Sequence, residues 1–242
     1  LYHILPGYLP MPHAGWPTLE EYQKANTPVS KDPLSANWWQ NRPKYVVSLL
    51  KAWFGDNATA ENGFCYELLP KVDPGVDYAS MVLFDKMYKG KVRGGFIYGH
   101  NPAQSMPHTH KIRKALTMLD FLVVGEAHET ETAAFWRQPG TDPKDVKTEV
   151  FLLPSCQRGE KDGTISNSGR WHMWHHKGYE PMGVSKPMGW MVVEIMKRVR
   201  DLYAREGGAF PEPIAKLDWY ETYDADLIAK KTNGWFTRDC TV

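Results

Sequence analysis

The sequence predicts an α/β fold, with a Rossmann-like layer built on a mainly parallel sheet at about residues 76–205. A helical and irregular N-terminal lobe (1–75) precedes it and a C-terminal extension or linker (206–242) follows. Three observations predict this. Apolar runs of strand length at 92–98, 121–125 and 150–153 alternate with stretches of helical period, as in parallel strands joined by crossovers. The first two runs break into polar loops, Gly99-His-Asn-Pro102 and Gly125-Glu-Ala-His-Glu-Thr-Glu-Thr132, as expected at the carboxyl ends of strands in such a sheet. Residues 1–42, by contrast, are rich in proline, asparagine and tryptophan and carry little regular period.

Taken in order, the elements follow from local chemistry. Thr18-Leu-Glu-Glu21 has the spacing of a capping box, in which the hydroxyl and the carboxylate satisfy the first free amides of a short helix. Over 43–54, Val46, Val47, Leu50 and Trp53 recur at helical spacing behind Pro43, a residue that favours a helix start. Met81, Phe84 and Met87 predict a helix over 78–88, with Gly90 as its stop. The 92–98 strand, a helix over about 106–119 through Ile112, Leu116 and Leu119, and the 121–125 and 150–153 strands come next. Turn residues at 163–169 precede an extended stretch at 170–175. Trp190, Val193, Ile195, Met196 and Val199 predict a long helix over 187–205, ended by Gly207-Gly208. Phe210-Pro-Glu-Pro reads as a linker and 224–232 as a short helix.

Composition excludes several functions. Twenty-nine basic against twenty-eight acidic residues leave a net charge of +1, which argues against a nucleic-acid or anionic-membrane surface. Cys65, Cys156 and Cys240 stand alone without a C-x-x-C pair, so no iron–sulfur or structural zinc site can be assembled from them. No apolar run approaches the length of a membrane span, and the N-terminus lacks a signal-peptide pattern.

Gly99-His-Asn-Pro102 alone reads as an ordinary strand-to-helix turn, with glycine for the bend and Pro102 setting φ. With a second polar junction at the next strand, its backbone amides and Asn101 become candidates for a pyrophosphate or ribose. The absence of G-x-G-x-x-G disfavours ordinary NAD binding. Glu126 ends an apolar strand, where its carboxylate is either solvated or free to accept two hydrogen bonds from a guanine edge or a ribose diol. Glu129 and Glu131 are expected to be local partners, because a pyrophosphate repels further carboxylates. His108-Thr-His110 and His172-x-x-His175-His176 lack H-E-x-x-H, and a catalytic zinc needs a third ligand. They are read as surface or packed histidines. Ser155-Cys156-Gln157 has no nucleophile elbow and is read as a polar loop after a strand.

Gly99-His-Asn-Pro102, the run 121–136, Val150-Phe-Leu-Leu-Pro154 and the run 160–170, in that order and spacing, resemble the molybdopterin-dinucleotide oxidoreductases. Within them, Leu5-Pro-Gly-Tyr-Leu9, Asn37-Trp-Trp-Gln-Asn41 and the run 43–53 resemble the large catalytic (alpha) subunit of respiratory, periplasmic-type formate dehydrogenases, and nearly the whole chain is covered. The resemblance implies formate oxidation to carbon dioxide, or the reverse, at a molybdenum or tungsten ion held by two molybdopterin guanine dinucleotides, with a 4Fe-4S cluster carrying electrons away. It implies that this chain contributes one dinucleotide-binding surface. Gly99, His100, Asn101 and Pro102 would belong to it, as would Glu126 reading guanosine, His128, and Thr130 on phosphate or ribose. Asn167 and Arg170 fall in a return loop near the pterin, where Arg170 makes either charge-assisted hydrogen bonds or an internal salt bridge.

The cluster cysteines, the metal-binding cysteine or selenocysteine and the active-site histidine and arginine of the family lie upstream, so no catalytic or metal-ligating residue is assigned here. Starting at Leu1 and stopping at Val242, the chain is expected to be an internal fragment, inactive alone and without bound cofactor. Its expected partners are the remainder of the catalytic subunit and an iron–sulfur electron-transfer subunit, with a cytochrome subunit as a further candidate. Neither a nucleic acid nor a membrane span of its own is expected. The resemblance implies the periplasm and anaerobic respiration. The rival readings are a sister molybdopterin enzyme, such as a nitrate or polysulfide reductase, and a noncatalytic binding or scaffold domain.

Overall fold

The computed structural model describes residues 9–166, 172–218 and 221–232. In chain order the elements are α1 (Leu19–Asn26), α2 (Arg42–Phe54), α3 (Ser80–Tyr88), β1 (Gly94–Tyr98), α4 (Pro102–Ser105), α5 (Thr109–Leu116), β2 (Phe121–Glu126), β3 (Glu149–Pro154), β4 (Gly163–Ser166), β5 (His172–His175), α6 (Met188–Glu206), α7 (Pro211–Lys216) and α8 (Ala225–Thr232), with several short 3-10 turns between them. The chain divides into two compact units. One comprises residues 1–76, 162–176 and 192–242, the other 77–161 and 177–191.

The second unit holds the predicted sheet, in the order β1-β2-β3 with both pairs parallel. Register partners run Gly94–Phe121–Glu149 through Tyr98–Gly125–Leu153, so the three strands end together. On one side Leu122 and Val124 are fully buried against Phe84 and Met87 of α3 and Ile112 and Leu116 of α5. A Lys111–Asp85 ion pair at 2.5 Å joins the two helices. The expected helix over 106–119 is shorter, because His108 adopts φ +60° and caps the helix by accepting from Lys111 N at 3.2 Å. A separate helical turn, α4, occupies 102–105.

The first unit opens with the expected capping box: Thr18 Oγ1 accepts from Glu21 N at 3.2 Å and Glu21 Oε2 from Thr18 N at 3.0 Å. Val46, Leu49, Leu50 and Phe54 of α2 enter its core beside Tyr22 and Tyr66. Both tyrosines keep their hydroxyls bonded while buried, to the carbonyls of Pro10 (2.8 Å) and Trp16 (3.0 Å). Such anchors let large aromatics hold an irregular segment. Of the expected extended stretch, His172–His175 forms β5, and it pairs antiparallel with Gly163–Ser166, read from sequence as turn residues but forming strand β4. Phe210-Pro-Glu-Pro213, read from sequence as a linker, instead leads into α7 (Pro211–Lys216), with proline in its first turn where no amide is needed.

Candidate functional site

The carboxyl ends of β1, β2 and β3 deliver three loops to one edge of the sheet. The first leaves β1 at Gly99, whose φ of +63° bends the chain, and Gly99 N still donates to Gly125 O at 3.1 Å. The second follows Glu126, and the third begins where Ser155 N donates to Glu126 O at 2.9 Å.

Asn101 ties the first loop to the second. Its Oδ1 accepts from Thr132 N (3.1 Å) and Thr132 Oγ1 (2.8 Å), while its Nδ2 donates to Glu131 Oε2 (2.6 Å) and Gln104 Oε1 (3.2 Å). An amide has two donor hydrogens and two acceptor lone pairs, so this side chain is saturated and acts by holding the loops in place. Thr132, fully buried, also accepts from Ala103 N at 3.1 Å. Sequence reasoning singled out Thr130 and passed over Thr132. The two hydroxyls look alike within Glu129-Thr-Glu-Thr132, and only the loop's path turns one of them inward.

The other carboxylates of the second loop are local partners. Glu129 pairs with Arg137, whose guanidinium also lies over the Trp136 ring. The hydrogen bond from Asn101, then backbone donation and the charge of Arg113, hold the Glu131 carboxyl below the usual range. Glu126 differs: half-buried at the end of β2, it has no side-chain partner among the described residues. The Thr130 hydroxyl oxygen is buried without a hydrogen-bond partner. A buried hydroxyl with no partner costs about 1–3 kcal/mol, which marks it as a group awaiting one.

His100 Nε2 sits 3.1 Å from Ser105 Oγ, and Pro102 starts α4. His128 Nε2 lies 3.0 Å from Gln157 Nε2, linking the second loop to the third. That third loop is braced by the buried Glu160, whose carboxylate takes backbone amides from Gln157 and Met182. Its signal in sequence was the capping-box spacing Gln157-x-x-Glu160. A pocket of about 350 Å³ opens beneath the second loop between Glu129, Trp136, Val146, Thr148, Val150 and Leu152. Asn167 and Arg170 lie outside the described residues. Among the described residues no cluster of histidine, cysteine and acidic groups is placed to hold a metal ion, and no helix is long and apolar enough to cross a membrane.

No family model matches the chain. It is 54% identical over 242 residues to formate dehydrogenase 2 subunit alpha (cytochrome c-553) of Nitratidesulfovibrio vulgaris, covering 100% of this chain and 24% of that protein. It is 46% identical to formate dehydrogenase subunit alpha of Megalodesulfovibrio gigas, again over 100% of this chain and 24% of that protein. A nitrate reductase of Shewanella frigidimarina is more distant, at 32% identity over 53% of this chain and 13% of that protein. The chain thus spans about a quarter of the length of the formate dehydrogenase subunits it matches.

Proposed function

We propose that the chain is part of a formate dehydrogenase alpha subunit, spanning about a quarter of the length of the subunits it matches, and that it supplies one dinucleotide-binding surface of a formate-oxidising molybdopterin enzyme. One observation carries the proposal. At the carboxyl edge of a parallel sheet, where such folds receive nucleotides, stand Glu126, a carboxylate with no side-chain partner among the described residues, and Thr130, a buried hydroxyl without one. That donor and acceptor set fits a guanine nucleoside: the carboxylate accepts from the base or a ribose diol, and the hydroxyl donates to ribose or phosphate. It does not fit a bare metal, for which no ligand cluster is present among the described residues.

When bound, a pterin-held molybdenum or tungsten centre supplies the two-electron chemistry, and the protein fixes its position. In this reading Gly99, His100 and Pro102 present backbone to the dinucleotide. Asn101 and Thr132 lock the first two loops, and His128 with Gln157 locks the second to the third. By the resemblance, Asn167 and Arg170 are also assigned to the cofactor's surroundings, and residues 76–205 to the dinucleotide-binding region. The proposal extends to a periplasmic, respiratory parent that works with an iron–sulfur electron-transfer subunit.

The test uses the complete alpha subunit. Losing the Glu126 carboxylate leaves the guanine donors unpaired, a loss of about 1–3 kcal/mol or roughly five- to a hundredfold in retention. Glu126→Ala is therefore expected to lower pterin and metal content together while circular dichroism stays unchanged. Normal occupancy in that variant would reject the assignment.

A further inference from the structure

Three buried side-chain polar atoms among the described residues lack a hydrogen-bond partner: Arg42 Nε, Thr130 Oγ1 and the Tyr98 hydroxyl. Two of the three, Tyr98 and Thr130, belong to the carboxyl edge of the β1–β3 sheet. The sequence motifs point to Thr130 and pass over Tyr98. Tyr98 closes β1 and is paired in register with Gly125, one residue short of the end of β2. A Cβ on Gly125 would overlap the Tyr98 ring. Glycine weakens a strand and marks a close approach to its backbone, here that of the phenol. Phe96, two residues earlier on the same face, flanks the ring at 6.4 Å between centroids. The ring is thus held against β2, with a buried hydroxyl at the edge from which the first two loops leave.

Buried tyrosines ordinarily end on a partner, as Tyr22 and Tyr66 do. Phenylalanine would fill the Tyr98 site without the penalty of an unpaired hydroxyl. We propose that Tyr98 is a further binding residue for the dinucleotide, its hydroxyl donating to a phosphate oxygen. The inference rests on the dinucleotide reading of this edge and adds a donor to it. Position selects the phosphate. In parallel sheets of this kind the turn after the first strand receives the pyrophosphate, and Tyr98 is the residue that leads into that turn at Gly99. Chemistry agrees. Burial pushes the phenol above its ordinary value, which keeps it a neutral donor. A hydrogen bond to an ionised oxygen is roughly twice as strong as one between neutral groups.

Tyr98→Phe in the complete alpha subunit tests this, because it removes one oxygen and keeps the ring. In the cofactor-loaded subunit, release of the pterin nucleotide should quicken roughly ten- to a hundredfold. In the cofactor-free subunit the thermal midpoint should hold or rise, since the variant loses a hydroxyl that had no partner. Ultraviolet resonance Raman, wild type minus variant, isolates the one phenol and should report a donated hydrogen bond in the loaded subunit alone. Unchanged release, with Glu126→Ala still losing cofactor, would overturn the role of Tyr98 and leave the dinucleotide reading standing. Unchanged retention in both variants would overturn the two together. A donated hydrogen bond in the cofactor-free subunit, or a lowered midpoint there, would identify a protein group as the partner and also overturns the proposal.

Discussion

The N-terminal lobe and the sheet layer solve burial in opposite ways. The lobe is irregular yet its core is closed: Tyr22, Tyr66, Leu50 and Phe54 are all 2% exposed or less, and the tyrosine hydroxyls end on backbone carbonyls. The sheet layer is regular in strand register and helix spacing, yet buries Leu122 and Val124 on one face and leaves Phe96, Phe121 and Phe151 exposed on the other. Regular secondary structure and completed burial are therefore separate achievements. A few anchored aromatics can deliver the second without the first, because each buries about 150–250 Å² and needs only one polar partner.

The largest effect should come from attacking the lobe's anchor. Tyr66→Ala removes a fully buried ring packed on Tyr22, at 5.4 Å between centroids, and beneath the Lys71 ammonium. It is expected to cost about 3–5 kcal/mol, read as a lower urea midpoint in tryptophan fluorescence. A loss below about 1 kcal/mol would mean that the lobe does not hold itself as described. Next is Gly125→Ala, which drives a methyl into the Tyr98 ring. Overpacking of this kind costs about 1–3 kcal/mol. The Tyr98 ring, whose hydroxyl end is itself buried, must shift to accept the methyl, and thermal unfolding would report the cost. Thr132→Val leaves the Ala103 amide and the Asn101 oxygen short of a partner, at about 1–2 kcal/mol. Faster hydrogen exchange at Ala103 should accompany that loss.

The smallest effect is electrostatic. Hydrogen bonds from Lys111 and then Lys89 hold the Asp85 carboxyl down to about 2 from its ordinary 3.8. A carboxyl depressed on folding stabilises above its unfolded value and loses that contribution as pH falls through its folded value. The sheet layer should accordingly weaken from about pH 4 down to pH 2, and Asp85→Asn should flatten that slope in a pH series of unfolding midpoints. These groups are partly exposed, so salt should shrink the difference.

The sheet layer was almost wholly legible in the sequence because strand length, helical period and the polar loops agree on one topology. The lobe was less so. Ala60–Leu68 coils as a 3-10 segment in which Gly63, Phe64 and Cys65 have φ of +58°, +54° and +63°. No local preference puts Phe or Cys there, so the surrounding packing must impose it. The same limit applies at the candidate site. The polarity of the loops was visible, but whether Asn101 faces a ligand or Thr132 is decided by contacts 31 residues apart in the chain.

The interleaving of the two units bears on how a ribosome must deliver them. Residues 9–76 emerge ahead of residues 77–242, but their unit also needs the β4–β5 hairpin and α8, which packs on β4 and α2. The sheet layer in turn waits for Lys186, whose backbone pairs beside Pro154 and Cys156 only after the hairpin has been made. Chains are extended at roughly 5–20 residues per second, so each half stays open for seconds with its apolar surface unshielded. For a nascent chain of this design, the vulnerable species is the partly synthesised one. Chaperone demand for these two units should peak between translation of residues 77 and 192 and subside once α8 clears the exit tunnel.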